Sequence, residues 1–123
     1  MTKGHVLIIE DDNDVRDMLC TMLSVKGWKT RSAADGRQGL AALGESVPDV
    51  VLCDVMMPDI DGMEVHAAVR ADSNTVSLPF VFVSAILDPR IVEHAAQPNC
   101  SFVRKPFTLN QLEDAISVAR SKV

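Results

Sequence analysis

Apolar residues along this chain come in short unbroken runs, separated by stretches with helical spacing. Residues 5–9, 50–53 and 80–83 are runs of the first kind, the pattern of strands buried on both faces. Residues 28–33 instead alternate, with Lys29 and Arg31 between apolar positions, which predicts a half-exposed edge strand. A fifth short strand is predicted over 101–104. Between the first two strands, Val15, Met18, Leu19, Met22 and Leu23 follow the i, i+3, i+4, i+7 spacing of one helix face, with Asp12 or Asn13 as the cap and Gly27 as the stop. Leu40 and Leu43 mark a short second helix ending near Gly44, and a third runs from about Gly62 to Arg70. Asp88-Pro89 reads as an N-cap followed by proline at the first helical position, and Gln97-Pro98-Asn99 forces that fourth helix to be short. Leu109, Leu112, Ile116 and Ala119 share one face of a last helix. Buried strands alternating with helical crossovers predict a single doubly wound α/β domain over 1–123, with helices on both faces of a parallel sheet.

Composition narrows the possibilities without naming a chemistry. At 123 residues, 47% hydrophobic and 24% charged, the chain is one globular domain's worth of sequence. A net charge of −5 with no basic cluster argues against a nucleic-acid surface. No apolar stretch approaches the about 18 residues of a membrane helix, and no basic and apolar leader is visible. Cys20, Cys53 and Cys100 are odd in number and scattered, so reduced, structural thiols in a cytoplasmic protein are expected. His5, His66 and His94 are expected at the surface or its boundary, with none in a ligand-like pair. Met18, Met22 and Met63 are expected as core or interface filler.

The chemistry lies where strands end. Glu10 and Asp11 close the first strand, Asp54 the third, Ser84 the fourth, and Lys105 follows the fifth. In doubly wound folds ligands bind beyond the carboxyl ends of the strands, so these residues are expected in one crevice. Three carboxylates together repel one another, and a hard divalent cation with oxygen ligands resolves the conflict. Carboxylates, a lysine and a hydroxyl in that arrangement suit phosphoryl transfer, with a carboxylate as the nucleophile.

Four segments carry a family resemblance: Ile8-Ile9-Glu10-Asp11-Asp12, the stretch from Asp54 through Met56, Met57, Pro58 and Asp59 to Asp61-Gly62, Val83-Ser84-Ala85, and Val103-Arg104-Lys105-Pro106-Phe107. In this order and spacing they resemble the receiver domain of two-component response regulators, and the resemblance spans the whole chain. It implies a flavodoxin-like sheet of order 2-1-3-4-5, as in CheY. By the same resemblance Asp54 is the phosphoacceptor. Glu10, Asp11, Asp54 and the Met56 backbone carbonyl would serve Mg²⁺ (or Mn²⁺), with Glu10 acting through water. Ser84 takes the hydroxyl switch position, with Ala85 beside it, and Phe102 the aromatic switch position. Lys105 is the family lysine, and its bond to Pro106 is expected to be cis. Asp12 is left to helix capping.

The implied partners are a histidine kinase or a histidine phosphotransfer protein and a downstream effector of unknown kind, with no direct nucleic-acid or membrane binding. Met56 and Ile86 occupy positions that modulate phosphate lifetime in the family; both are apolar, which implies slow dephosphorylation. Residues 95–100 lack the family's glycine-alanine turn, which implies a short, displaced or mobile fourth helix. Two other readings are weighed: an aspartyl-nucleophile phosphohydrolase, which needs a second acid where Met56 stands, and a pseudo-receiver that binds partners without phosphate. Whether the chain is a stand-alone regulator or the receiver of a longer one is left open.

Overall fold

A computed structural model of the chain describes residues 3–122; Met1, Thr2 and Val123, which the sequence places in the same domain, lie outside the described residues. Five strands alternate with five helices: β1 (Gly4–Ile9), α1 (Asn13–Val25), β2 (Trp28–Ala33), α2 (Gly36–Glu45), β3 (Val50–Asp54), α3 (Gly62–Ala71), β4 (Phe80–Ser84), α4 (Pro89–Ala95), β5 (Cys100–Arg104) and α5 (Leu109–Ser121). All strand pairs are parallel, and the sheet order is β2-β1-β3-β4-β5. The expected order and the edge position of β2 both hold.

Each helix starts where a side chain satisfies its free backbone N–H groups. Asp12, not Asn13, caps α1, accepting from Asp14 and Val15 N–H, while Asp35 caps α2 through Gln38 N–H. The Asp35 cap starts α2 one full turn before Leu40, the first residue whose apolar spacing announced the helix. Asp61 with Glu64 and Thr108 with Gln111 form reciprocal capping boxes at α3 and α5. Asp88 caps α4, with Pro89 in its first turn as expected.

The sheet separates two apolar layers. On one side Leu43 of α2, Val65 and Val69 of α3, and Ile91 and Ala95 of α4 cover Leu7, Ile9, Val51, Phe80 and Phe82. On the other, Leu19 and Leu23 of α1 with Leu112, Ile116 and Ala119 of α5 cover Val6, Ile8, Leu52, Val81 and Val83. Every residue of β3 and β4 is buried, which is why their sequence shows no alternation. Each fully buried aliphatic or aromatic side chain contributes about 1.5–3 kcal/mol of transfer free energy, so this double layer supplies the rigid frame of the strand ends.

Helix α4 has only 7 residues. The turn after it closes through Asn99, whose φ of 56° lies in the left-handed region that asparagine tolerates better than most residues. Cations complete the closure. Arg70 donates to the Leu78 and Asn99 carbonyls at 2.8 and 3.0 Å, and Lys122 to the Ala95 and Cys100 carbonyls at 2.7 and 3.3 Å.

One expectation fails. His66 is not a surface or boundary residue: it is 1% exposed, and its Nδ1 lies 3.1 Å from Nδ1 of His94, so the two histidines do form a pair. Three residues after Met63 and three before Val69, His66 shares the buried face of α3; its polar type masked that position in the hydrophobic pattern. Met63 is buried as expected, whereas Met18 is 45% exposed.

Candidate functional site

Strand register assembles the site. Pairing of β1 with β3 sets Ile9 beside Cys53, so Glu10 emerges next to Asp54. Pairing of β3 with β4 sets Asp54 beside Val83, and that of β4 with β5 sets Ser84 beside Arg104, which brings Ser84 and Lys105 to the same edge. Parallel strands end on one side of the sheet, so residues nearly a hundred positions apart meet.

Carboxylate oxygens of Glu10, Asp11 and Asp54 all lie within 4.8 Å of one another. Glu10 is 2% and Asp54 6% exposed, while Asp11 faces solvent. Lys105 Nζ donates to Glu10 Oε1 at 3.2 Å and stands 3.6 Å from Asp54 Oδ1. The Lys105–Pro106 peptide is cis. One ammonium faces three carboxyl groups, and Glu10 Oε2 is buried with no hydrogen-bond partner. Burial, reinforced by the Asp54 carboxyl opposite, pushes the Glu10 carboxyl up to about 7. Burial also raises Asp54 above its ordinary range, while the adjoining Glu10 carboxyl and the charge of Lys105 pull the other way. The donor set, all oxygen with an unclaimed buried carboxylate atom, fits a hard divalent cation and does not fit a softer one.

The backbone beneath Asp54 is packed without slack. Gly62 N–H donates to the Val55 carbonyl at 2.9 Å, starting α3 directly against the strand end. A β-carbon at Gly62 would overlap the Asp54 carbonyl oxygen and lie 2.9 Å from Val55 Cα, so only glycine fits. Cys53 Sγ donates to the Asp54 carbonyl oxygen at 3.3 Å, and burial raises its thiol so far that it stays neutral, a structural thiol as expected.

Ser84 is buried, and its hydroxyl donates to the Ile86 carbonyl at 2.9 Å and accepts from Ile86 N–H at 3.1 Å. In this state the hydroxyl serves its own loop. Ala85 is exposed beside it, and Met56 and Ile86, two residues beyond Asp54 and Ser84, are 61% and 53% exposed. Phe102 is half-buried, packed against the α2–α3–α4 layer, and it lines a groove of about 850 Å³ between α4, β5 and α5.

Two arginines near the site escaped the sequence reading. Arg16 of α1 donates to the Glu10 carbonyl at 2.9 Å, anchoring the turn that carries Glu10 and Asp11. Arg37 pairs with Asp59 at 2.5 Å, tying the start of α2 to the β3–α3 loop, where Asp59 has a φ of 71°. Neither contact follows any periodicity, and no sequence signal announces them.

The model of the response regulator receiver domain matches residues 6–117 of this chain. The chain belongs to that family. It is 36% identical over 116 residues to a probable chemotaxis protein CheY of Rhizobium etli, covering 93% of this chain and 90% of that protein. A probable transcriptional regulator, ycf27, of Guillardia theta is 37% identical over 119 residues, 94% of this chain but 44% of that protein. The receiver spans about half the length, or less, of the first curated relatives it matches. Among solved structures, the chemotaxis protein CheY4 of Vibrio cholerae superposes with a TM-score of 0.86 at 27% identity, covering 94% of this chain and 98% of that one. A putative response regulator of Chloroflexus aurantiacus gives 0.85 at 29% identity, with coverage of 97% and 98%. The receiver is thus a signalling domain, and no helix among its described residues is long and apolar enough to cross a membrane.

Proposed function

We propose that this receiver is a phosphorylation-dependent switch of a two-component system or phosphorelay, acting in the cytoplasm, with Asp54 as phosphoacceptor. The carrying observation is the convergence of Glu10, Asp11 and Asp54 within 4.8 Å, with Lys105 3.6 Å from Asp54. An Asp54 carboxylate oxygen attacks the phosphorus of a phosphohistidine on a histidine kinase or histidine phosphotransfer protein. A P–O bond forms as the P–N bond breaks, and the electron pair leaves with the donor imidazole, giving an acyl phosphate on Asp54. Asp11, Asp54 and the Met56 carbonyl, with Glu10 through water, would hold Mg²⁺ (or Mn²⁺), which would supply positive charge against the phosphoryl oxygens. Lys105, already between Glu10 and Asp54, is placed to follow the new charge as a point cation.

Ser84 links this event to the outside. A phosphoryl group on Asp54 offers its hydroxyl a charged acceptor that competes with the Ile86 carbonyl. Moving the β4–α4 loop changes the support of Phe102 and, with it, the groove between α4, β5 and α5. The acyl phosphate acts as the ligand that favours one of two packings, and a downstream effector reads the groove.

Labelling by a small-molecule acyl phosphate donor with Mg²⁺ tests this reading. The parent acquires one acid-stable, base-labile phosphoryl group and Asp54→Asn acquires none. Equal labelling of both would sink the assignment, and no labelling of either would make the chain a phosphate-independent binding module.

The apolar, exposed Met56 and Ile86 offer no group to orient an attacking water, so the phosphoryl group is expected to persist. Ile86→Glu, which adds a carboxylate at the mouth of the site, is expected to shorten the lifetime severalfold. Decay of the labelled variant at the parent's rate would contradict the role given to this position.

A further inference from the structure

No step above uses His66 or His94, yet they form the most distinctive polar contact in the interior. His66 of α3 is 1% exposed, and its ring lies 5.0 and 5.1 Å from those of Phe80 and Phe82 on β4. Its Nδ1 faces Nδ1 of half-buried His94 on α4 at 3.1 Å, and its Nε2 is buried without a partner. A bond between two Nδ1 atoms needs one proton: one ring donates and the other accepts through its lone pair. With His94 as the donor, its Nδ1–H fills the lone pair of His66 Nδ1. His66 cannot then be charged without setting N–H against N–H.

Nothing around His66 would compensate such a charge. On its own helix it faces Arg70, and on α4 it faces His94, both of which oppose a positive charge. Strand β4 presents the rings of Phe80 and Phe82, and on β5 Cys100 has a thiol that burial keeps neutral. Arg90, one turn before His94, is already paired with Asp88, and Glu93 is exposed. Burial first, then Arg70 and His94, hold the His66 imidazolium down to about 4.

We propose that the His66–His94 bond makes the seating of α4 proton-linked: α4 docks on α3 only over a neutral His66, and its release takes up a proton. The helix suits local release, because in its 7 residues only Ile91 and Ala95 are buried. The sign follows from linkage. The closed-state value of about 4 lies below the free value of 6.5, so the closed state loses ground as pH falls through that interval and no further below it. The opening constant of α4 rises by up to about tenfold per pH unit across that window. Mild acid therefore loosens the helix that borders the groove, through a route that does not involve Asp54.

Native-state hydrogen exchange of the α4 amides in the whole chain, between about pH 6.5 and 5, measures the opening constant once intrinsic exchange is divided out. The parent is expected to show a rise of roughly tenfold per pH unit, while His66→Phe, which fills the ring's place without titrating, shows a flat constant. A flat constant in the parent, or an equal slope in the variant, would overturn the proposal. Asp54→Asn keeps the slope, and its loss there would equally overturn it. Should His66→Phe not fold, the ring nitrogen shifts of the parent decide. His66 is expected neutral at pH 5.5, and a titration near its free value in the folded protein would refute the linkage.

Discussion

Glu10→Gln is expected to stabilise the cation-free receiver by about 1–2 kcal/mol at about pH 8, and to leave its stability unchanged near pH 4. Glu10 is buried against Asp54, and its carboxyl rises from 4.5 to about 7. A group with a raised folded value holds its proton in the native state, so its contribution is complete below 4.5 and is lost as pH climbs through about 7. Glutamine mimics the neutral form at every pH. The full shift, which already sets the ion pair with Lys105 at 3.2 Å against burial, would give a larger number, but the glutamine amide N–H groups are buried beside the Lys105 ammonium, which reduces the gain. Urea unfolding at the two pH values measures the difference, and a parent more stable than the variant at about pH 8 would refute the account. Added Mg²⁺ should reverse the order. A cation at a hundred times its dissociation constant stabilises the folded parent by about 2.7 kcal/mol, and the variant, lacking one carboxylate, gains less. On this account the proposed acidic site is kept at the expense of stability.

Gly62→Ala is expected to cost about 2–4 kcal/mol, lowering the melting temperature by about 10 °C, although alanine is the better helix former. The added methyl would overlap the Asp54 carbonyl oxygen and press on Val55 Cα, and both are backbone atoms of the strand end and loop that position the proposed acceptor. Relief requires moving α3 or the Asp54 backbone, so phosphoryl labelling should fall along with stability. Gly44→Ala is the matched control. Gly44 lies in α2 with nothing near its missing β-carbon, and alanine there should be neutral or stabilising by up to about 1 kcal/mol. Thermal unfolding of both variants checks the contrast, and similar melting temperatures for the two would contradict it.

Much of the fold was legible because its signals are local. Unbroken apolar runs marked β1, β3 and β4, since a strand buried on both faces has no polar side to show. Alternation at Trp28–Ala33 marked the edge strand, whose boundaries match the structure. Aspartates before helical spacing marked the N-termini of α1 and α4, although at α1 the choice between Asp12 and Asn13 needed the hydrogen bonds to Asp14 and Val15. The site residues were legible for a related reason: an acid or lysine directly after a buried run can only stand at the strand's end. That rule, with the family motifs, picked out Glu10, Asp11, Asp54, Ser84 and Lys105 before any distance was known.

By itself, then, the sequence determined the alternating architecture and the residues at the strand ends, because each depends on patterns within about ten neighbouring residues. The order of four such short motifs along the chain pointed to the family. Tertiary structure alone decided how those residues interact. Register set Lys105 between Glu10 and Asp54, burial left one Glu10 oxygen without a partner, and the Ser84 hydroxyl was committed to the Ile86 backbone. Arg16 on the Glu10 carbonyl and the His66–His94 bond were equally invisible. A histidine on a helix face carries no sign of what lies across from it. Contacts between elements distant in sequence have no period, and only packing chooses them.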